Sequence, residues 1–412
     1  MSVLLRHVAL RNYKSIGQCQ VALSDLTLFV GPNGAGKSNF VDAIRLVADA
    51  LRSSLEYAIR ARGGIGEVRR RSSGHPNHFN IHLVVKLLEN QDGAFSFQIG
   101  AQPKGGFVVQ REVAVISTGG LDRAFYEVHE GAVLSASNHL KDPPKVSKDR
   151  LFLTAVSGIE IFRPLFDALS TMGFYNINPA EIREPQPNDA GEILERDGSN
   201  LASVIRRLQT DNPSAMERIQ AYLRRIVPGI EGVEHKALGP RETLEFRQVI
   251  RNTAHPWRFF AAAMSDGTLR SLGVLTALFQ SMGRAANLIP LIAIEEPEST
   301  IHPAAAAIIM DALLEASDKE QVLATTHSPD LLDHKAIKSA QLLAVENFGG
   351  ESIIAPVDSA SISAIQDGLY TPGELLRVGQ LNPKKSKNDR PLRQADLFAK
   401  IPGNAGRPIP NC

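Results

Sequence analysis

A glycine-rich stretch near the start of the chain holds a lysine and a serine at a spacing suited to phosphate binding. Residues 31–38 read Gly-Pro-Asn-Gly-Ala-Gly-Lys-Ser, which fits the phosphate-binding pattern G-x-x-x-x-G-K-[ST]. In this pattern, backbone amides and a helix N-terminus face the phosphates. The lysine reaches the β- and γ-phosphates, and the hydroxyl binds Mg²⁺. The sequence therefore predicts a nucleoside triphosphate site at Gly31, Pro32, Asn33, Gly34, Ala35, Gly36, Lys37, Ser38 and Asn39.

Two adjacent carboxylates, Glu295 and Glu296, follow an apolar run at 291–294 that reads as a buried strand. Because neighbouring side chains on a strand point to opposite sides, the two carboxylates can serve separate roles. One can assist Mg²⁺, usually through water, and the other can accept a proton from an attacking water. Carboxylates at the end of a hydrophobic strand are costly unless they meet a metal or another partner. The pair therefore predicts part of a catalytic metal site.

Three shorter motifs accompany these elements. The run Ser-Asp-Gly-Thr at 265–268 opens a predicted helix at 268–282, where it offers a capping hydroxyl and a helix dipole. The run Thr-Thr-His-Ser at 325–328 ends a predicted buried strand at 321–326, and Pro-Glu-Ser-Thr at 297–300 follows the carboxylates. Taken alone, the first motif is typical of an ordinary helix cap and a single histidine is typical of a structural residue.

The flanking segments have the periodicities needed to position these motifs. A short apolar run at 26–30 leads into the glycine loop, and residues 4–10 and 17–23 also read as strands. A helix follows the loop, with apolar residues at helical spacing: Phe40, Val41, Ile44, Val47, Ala48 and Leu51.

The middle of the chain has a different character. Residues 63–78 read as a loop, and 79–115 read as antiparallel strands at 81–85, 95–99 and 107–109 with hairpin signals between them. Residues 141–227 read mainly as helices, among them 201–208 and 215–227. A helix at 303–314 lies between the two buried strands near the C-terminal end.

The order of these motifs resembles the ATP-binding cassette (ABC) ATPases. Ser265 lies thirty residues before Glu295, and His327 lies thirty-one residues after Glu296. More narrowly, the chain resembles the non-transporter branch with RecF, the SMC proteins and the OLD-family (overcoming lysogenization defect) ATPases. The run Leu-Arg-Asn-Tyr-Lys-Ser-Ile at 10–16 and Asn33 within the loop also resemble that branch. The resemblance covers roughly 1–60 and 255–346.

The resemblance implies an α/β fold, a P-loop ABC-ATPase head with a central mainly parallel sheet, an antiparallel β insertion and a helical lobe. The corresponding boundaries are 1–75 and 256–358 for the two parts of the head, 76–135 for the antiparallel lobe, 136–255 for the helical lobe and 359–412 for a C-terminal extension with a flexible basic tail. It also implies ATP and Mg²⁺ as cofactors.

The resemblance further implies roles for single residues. Lys37 and Ser38 hold phosphate and Mg²⁺, Glu295 stands where the family usually has the metal-assisting aspartate, and Glu296 stands at the general-base position. The other carried-over positions are the γ-phosphate switch His327, the signature residues Ser265 and Gly267, and Lys14 of the opening motif, which we expect to bind nucleotide.

Two departures from the family pattern affect these roles. Glu295 is one methylene longer than aspartate, which favours looser or more water-mediated metal binding. Asp266 replaces a glycine of the common signature, which makes its contact with a partner's γ-phosphate less secure. The position of the Q-loop glutamine stays open between Gln98, Gln102 and Gln110.

Composition narrows the class of protein. The chain has 412 residues, enough for two or three packed units, and is 43% hydrophobic and 22% charged. The longest apolar run near the middle, 288–294, is too short to span a bilayer, and the first residues show no secretion signal. Cys19 and Cys412 are far apart and lack metal-type spacing. We therefore predict a cytoplasmic protein without a disulfide framework or membrane partner.

The net charge of the whole chain is only +1, but two of its segments are strongly basic. Residues 377–412 carry eight Lys or Arg and two Asp, or +6, so the remainder carries −5. Residues 52–71 carry six Arg and two Glu, or +4. Such clusters can contact phosphate backbones, and the alternative is a solvated loop and a solvated tail. DNA is therefore a candidate partner.

These observations leave three hypotheses. The first is an ATP-hydrolysing head that forms a homodimer or higher oligomer on ATP and acts on DNA, in repair or in phage defence. The second is a regulatory ATP sensor that controls a partner toxin or nuclease without contacting DNA. The third, a transporter motor, is disfavoured by the signature, the β insertion and the absence of a membrane segment.

Two absences narrow the first hypothesis. No stretch sustains the heptads that a long coiled-coil arm needs. Some sixty residues follow 345–350, too few for the acidic Toprim domain of OLD-family nucleases. We therefore expect any nuclease or toxin activity to lie in a separately encoded effector.

Overall fold

The computed structural model describes residues 4–72, 74, 76–87, 91–103, 105–117, 123–251, 255–283 and 289–384. Helices of the described residues are α1 (Lys37–Arg52), α2 (Leu55–Arg60), α3 (Ile65–Val68), α4 (Phe152–Val156), α5 (Arg163–Ser170), α6 (Pro179–Arg183), α7 (Leu201–Asp211), α8 (Pro213–Ile226), α9 (Asp266–Phe279), α10 (Pro303–Ser317), α11 (Pro329–Leu332), α12 (Ser359–Gln366) and α13 (Pro372–Arg377). Among these helices, none combines the length and apolar character that crossing a bilayer requires.

A six-stranded, mainly parallel sheet forms the centre of the molecule. Its strands are β3 (Leu26–Val30), β9 (Gly173–Tyr175), β14 (Leu291–Glu295), β15 (Gln321–Thr326), β16 (Leu342–Phe348) and β17 (Glu351–Pro356). Their order is β17-β16-β3-β15-β14-β9, and only the β16–β17 pair is antiparallel. The parallel register brings the carboxyl ends of β3, β14 and β15 to one edge, where the predicted motifs follow their strands.

The second sheet is antiparallel and has seven strands. They are β1 (Leu4–Tyr13), β2 (Ile16–Ala22), β4 (His78–Lys86), β5 (Asp92–Ala101), β6 (Phe107–Ser117), β7 (Arg123–His129) and β8 (Ala132–Ala136), in the order β2-β1-β4-β5-β6-β7-β8. The predicted insertion at 76–135 thus shares its sheet with the first two strands of the chain. The N-terminal region is therefore divided between the antiparallel sheet and the nucleotide-binding sheet.

Alternation along the parallel strands covers both faces of the central sheet. Phe29 joins Phe40 and Ile44 of α1 in the core beneath the antiparallel sheet. Its neighbours Leu28 and Val30 join the opposite core, which includes α9 and α10. A parallel sheet buried on both faces agrees with the near-continuous apolar character of its strands.

The structure differs from the sequence-based expectation in two segments. The lobe predicted as mainly helical, 136–255, also contains β9, β10 (Gln186–Pro187), β11 (Ile230–Leu238) and β12 (Arg241–Gln248). The last two form a hairpin across Gly239, which has φ +58°, and β13 (Trp257–Phe260) pairs with β12. The loop predicted at 63–78 contains the short helix α3.

The prediction of a mixed α/β head with a parallel sheet and an antiparallel insertion is confirmed. The C-terminal extension contains α12 and α13, which are described up to Lys384. Arg377, at the start of the basic C-terminal segment, forms ion pairs with Asp330 and Asp333. Residues 385–412, which hold most of the predicted flexible basic tail, lie outside the described residues.

Candidate nucleotide site

The glycine loop connects β3 to α1 as the motif predicts. Gly36 takes a left-handed conformation with φ +105°, and no side chain caps the first turn of α1. The uncapped amides and positive end of the sixteen-residue helix suit an anion. Ser38 is exposed in this first turn, whereas Lys37 is only 5% exposed.

The ammonium of Lys37 is folded back into the loop. Its Nζ donates hydrogen bonds to the carbonyl oxygens of Gly31 at 2.7 Å and Pro32 at 2.9 Å. Burial lowers the pKa of Lys37, and the nearby carboxylates of Glu296 and Glu298 act in the opposite direction. The ammonium is thus held where two neutral carbonyls can be exchanged for phosphate oxygens.

The hairpin of β16 and β17 supports the loop from behind. A Cβ atom on Gly31 would lie 2.0 Å from the Val345 carbonyl oxygen, and one on Gly36 would lie 2.0 Å from Ser352 Oγ. Ser352 is fully buried and donates to the Ala35 carbonyl at 2.7 Å. Two glycines of the motif are therefore required by packing within the chain as well as by phosphate access.

The turn between β1 and β2 also reaches the loop. Asn39 Nδ2 donates to Ser15 Oγ at 2.7 Å, and Ser15 Oγ lies 2.6 Å from Ser352 Oγ. Lys14 has φ +45° and forms an ion pair with Asp42 of α1 at 2.6 Å. Its predicted role in nucleotide binding stays a prediction, and the structure shows a structural partner for its charge.

The two carboxylates at the end of β14 face different partners. Glu295 Oε1 accepts from Arg196 at 2.9 Å, while Glu296 Oε1 lies 3.2 Å from His327 Nδ1. Glu296 Oε2 accepts from Ser299 Oγ at 3.1 Å. The Glu296 backbone has φ +46°, and its amide donates to the Thr325 carbonyl at 3.0 Å. The two carboxylates thus have different partners, and Glu296 lies in a left-handed turn just beyond the strand rather than in its alternating pattern.

Arg270 of α9 holds the strand end in place. This guanidinium is 8% exposed and donates to the carbonyl oxygens of Glu295 and Glu296, each at 3.0 Å, and to that of Ile177. Burial lowers its pKa, and the surrounding carboxylates oppose that effect. Sequence reasoning missed Arg270, because it lies inside a helix and its partners are at least 25 residues away.

The signature residues have clear roles within one chain. Ser265 caps α9 by accepting from the Thr268 amide at 3.3 Å, and Asp266 forms an ion pair with Arg183. A Cβ atom on Gly267 would lie 2.6 Å from the Thr300 carbonyl oxygen. The glycine therefore permits α9 to pack against the turn that follows Glu296.

Glu298 is a further carboxyl at this edge, in a motif to which the sequence assigned no role. It is 8% exposed, and its Oε1 accepts from Thr326 Oγ1. Burial raises its pKa, and the Thr326 hydroxyl acts in the opposite direction. Glu296 and Glu298 thus meet His327 and Thr326, two consecutive residues at the end of β15.

The proposed Q-loop glutamines lie in or beside β5 and β6 of the antiparallel sheet. There Gln98 donates to Gln110 at 2.6 Å and accepts from Asn80 at 3.0 Å. At the edge of the parallel sheet, the residue beside Glu295 is instead the exposed Asn176, because Tyr175 pairs with Ile294 in register. The strand that ends just before Asn176, β9, has only three residues and gave no clear sequence signal.

The donor set fits Mg²⁺ that arrives with a nucleotide. Among the described residues, no group of three or more His, Cys, Asp or Glu side chains is arranged to hold a metal. Mg²⁺ usually binds through one or two carboxylates, a hydroxyl and substrate phosphates. Ser38 and Glu295 supply donors of these types at the same edge of the sheet, so the residues present fit this cation.

Comparison with known proteins agrees with this geometry. Residues 26–333 match the family described as "AAA domain, putative AbiEii toxin, Type IV TA system". An OLD nuclease from Thermus scotoductus is 21% identical over 361 residues, and the match spans 82% of this chain but only 62% of that protein.

Solved structures show the same fold. An Smc head bound to the C-terminal winged-helix domain of ScpA matches with a TM-score of 0.55 and 14% identity, covering 87% of this chain and 99% of that one. An Smc head from Pyrococcus furiosus with an extended coiled coil, bound to the C-terminal domain of ScpA, gives a TM-score of 0.53 at 12% identity, with coverages of 89% and 99%.

Proposed function

Because the chain belongs to the family described as "AAA domain, putative AbiEii toxin, Type IV TA system", we propose that it is an ABC-type ATPase that hydrolyses Mg·ATP at the carboxyl edge of its parallel sheet. The observation that carries this proposal is the convergence of three groups. Lys37 is buried in the phosphate loop, Glu296 follows β14, and His327 lies 3.2 Å from the Glu296 carboxylate.

Each of these residues has a definite part in the proposed reaction. Lys37 exchanges its two carbonyl partners for phosphate oxygens, and the first-turn amides of α1 bind the same group. Ser38 and Glu295 would hold Mg²⁺, which would supply positive charge to the phosphates. Glu296 accepts the proton of the attacking water, and His327 contacts the γ-phosphate and orients Glu296.

Phosphate release from Mg·ATP by the purified chain tests this proposal. Substitution Glu296→Gln keeps the shape of the side chain and removes the base, so ATP should still bind while turnover falls by ~10²–10⁴-fold. Near-normal turnover in that variant would move the base assignment to Glu295. ATP binding without phosphate release by the wild type would instead support a regulatory ATP sensor.

We also propose that two heads close on ATP. Ser265 and Asp266 are exposed at the N-terminus of α9, where an anion from a second subunit could dock. Substitution Ser265→Arg should block closure while one head keeps its ATP affinity. Light scattering of Glu296→Gln should show a dimer with ATP and a monomer without it, and an unchanged mass would contradict ATP-linked dimerisation.

The cellular role proposed is genome maintenance or phage defence, with a separately encoded effector and with DNA as a candidate ligand. The nuclease relative supports this proposal, although the chain spans only 62% of its length. Arg69 and Arg70 are less available for a DNA contact, because they donate hydrogen bonds within the chain to the Pro76 carbonyl and to Glu351. In the triplet Arg69-Arg70-Arg71, Arg71 is the exposed residue, and it pairs with Glu67 on the surface.

Binding of single- and double-stranded DNA at several salt concentrations, with ATP present, tests this part. On duplex DNA, a phosphate contact by Arg71 should add about 0.9 to the steepness with which the logarithm of the binding constant falls as the logarithm of the salt concentration rises. Absence of salt-dependent binding would remove DNA from the proposal and leave an acidic protein partner as the ligand of the arginines.

A further inference from the structure

Glu298, two residues after the proposed base Glu296, has a side-chain oxygen without a hydrogen-bond partner in the described part of the chain. The residue is 8% exposed, and its Oε1 is occupied by the Thr326 hydroxyl. Its Oε2 is buried and has no hydrogen-bond partner among the described residues. Buried polar atoms almost always have a partner, so such an exception calls for an explanation.

The surroundings of Glu298 are those of the proposed catalytic base. Burial lowers the pKa of Lys37 and of Arg270, and the charges of Glu296 and Glu298 act in the opposite direction on both. Burial raises the pKa of Glu298, and His327 acts in the opposite direction. The two carboxyls come from one turn, in which the Ser299 amide donates to the Glu296 carbonyl at 3.0 Å. Because Glu296 lies 3.2 Å from His327 and Glu298 accepts from the preceding residue Thr326, both carboxyls lie at the same end of β15.

Thr326 connects Glu298 to that loop. Its hydroxyl donates to Glu298 and accepts from the Ser328 amide at 3.0 Å. Its carbonyl accepts from the Gly31 amide at 3.4 Å, at the start of the phosphate loop. The Glu298 carboxyl is thus connected through Thr326 to the first residue of the phosphate loop.

Packing alone does not require a carboxyl at this position. A buried carboxylate with one unpaired oxygen is costly, and a glutamine would fill the same space without that charge. Its amide oxygen could still accept from Thr326. A purely structural role therefore predicts that Glu298→Gln is neutral or stabilising.

We propose that, in the ATPase reaction proposed above, Glu298 is a second catalytic carboxyl whose unpartnered oxygen holds the attacking water for Glu296. One O–H of this water donates to Glu298 Oε2 and the other gives its proton to Glu296. The water oxygen forms a bond to the γ-phosphorus, and the bond from that phosphorus to the β–γ bridging oxygen breaks. The electron pair of the broken bond leaves with ADP. Because the proton of the water goes to Glu296, Glu298 only accepts a hydrogen bond and neither gains nor loses a proton.

Substitution Glu298→Gln tests this inference most sharply. The amide can keep the Thr326 contact but turns an N–H group, or a poorly placed oxygen, toward the water. Because a misplaced reactant can cost ~10²-fold in rate, kcat should fall by about that factor while ATP affinity is kept. The thermal midpoint should stay unchanged or rise.

Two sets of controls separate catalysis from folding. Glu320→Gln replaces another buried glutamate, 5% exposed at the opposite end of β15 with its pKa raised by burial to about 7, and should leave turnover unchanged. Thr326→Val removes the hydroxyl that orients Glu298 and should lower kcat by roughly ten-fold, within the range for misplacement. Thr326→Ser should restore most of that loss.

The outcomes distinguish this inference from the function on which it rests. If the wild type releases phosphate and Glu298→Gln does so within about two-fold of it, the inference is overturned. The same holds if Glu298→Gln loses ATP binding together with turnover, since that pattern indicates a ground-state role. If the wild type binds ATP but releases no phosphate, the proposed function fails and the inference falls with it.

Discussion

The nucleotide site and the arginine-rich segment at 52–71 are both highly charged, but their charges are paired very differently. At the nucleotide site, Lys37 rests on two neutral carbonyls and Glu298 keeps an unpartnered oxygen. In the arginine-rich segment, Arg62 binds Asp42 and Asp49, and its side chain is 3% exposed. Pairing of buried charge, rather than charge density, distinguishes Lys37 and Glu298 from Arg62, which has two carboxylate partners.

Asp42 is the centre of the structural region. Its carboxylate binds Lys14 and Arg45 at 2.6 Å and Arg62 at 2.9 Å, and it accepts from the buried Tyr13 hydroxyl at 2.8 Å. Burial alone would raise the pKa of Asp42, but Arg62, Lys14 and Arg45 lower it to about 2. The first strand, α1 and the middle of the arginine-rich segment are joined through this one carboxylate.

Substitution at Lys37 should have a large effect on both ATP binding and turnover and little effect on folding. Lys37→Ala removes the phosphate contact, so turnover should fall by ~10²–10³-fold, the range for loss of one electrostatic donor, and ATP affinity should fall as well. Its charge is buried on neutral carbonyls, so the thermal midpoint should not drop. Calorimetric titration with Mg·ATP measures the affinity, and Lys37→Met, which keeps most of the apolar stem, is the matched control. If Lys37→Met bound ATP with wild-type affinity, the claim that the Lys37 charge contacts phosphate would be wrong.

Substitution at Asp42 should have the opposite profile. Asp42→Asn leaves buried cations without their anion, which typically costs about 3 kcal/mol or more. Urea unfolding measures this free energy. Asp49→Asn is the control, because Asp49 is more exposed, with 30% of its side chain accessible, and its loss should cost under about 1 kcal/mol. Equal costs for the two variants would show that the Asp42 cluster is not the stabilising centre.

The same carboxylate predicts a specific acid sensitivity. The folded pKa of Asp42 is about 2, below the unfolded value of about 3.9. Its contribution is therefore fully present above the unfolded pKa and is lost as pH falls through about 2. A shift of this size is worth roughly 2–3 kcal/mol. Urea unfolding at a series of acidic pH values should show this loss in the wild type and a flatter profile in Asp42→Asn; parallel profiles would contradict the assignment.

The smallest effects are expected within the arginine triplet. Arg71 is exposed and pairs with Glu67 on the surface, so Arg71→Ala should change the free energy of unfolding by less than about 0.5 kcal/mol. Arg70 donates to the Ser15 carbonyl and to Glu351, so Arg70→Ala should cost about 1 kcal/mol. If DNA binds here, Arg71→Ala should lower the salt slope by about 1. A larger stability loss in Arg71→Ala than in Arg70→Ala would reverse the comparison.

Sequence reasoning predicted the parts of the site that depend on local order. The phosphate loop, its strand and its helix are contiguous, so spacing and periodicity were sufficient. The fold and the resemblance to the RecF, SMC and OLD type of P-loop ATPase are confirmed. The three-residue strand β9 was missed, because such a short segment has too few residues for its periodicity to show.

Contacts between distant segments could not be predicted in the same way. Arg196 reaches Glu295 across 99 residues, and Ser352 reaches the Ala35 carbonyl across 317. Neither residue belongs to a motif. The charge of the basic cluster at 52–71 is visible in the sequence and suggested a phosphate contact, whereas the partner of Arg70 within that cluster lies 281 residues away.

A crystal structure of Glu296→Gln grown with Mg·ATP tests most directly whether the glycine loop binds ATP beside residue 296. We expect ATP to lie along the glycine loop, with Lys37 Nζ bound to phosphate oxygens and withdrawn from the Gly31 and Pro32 carbonyls. We also expect Mg²⁺ beside Ser38 and Glu295, and the residue-296 side chain directed toward the γ-phosphate. A nucleotide bound elsewhere, or a bound nucleotide with Lys37 still on its two carbonyls, would contradict the account.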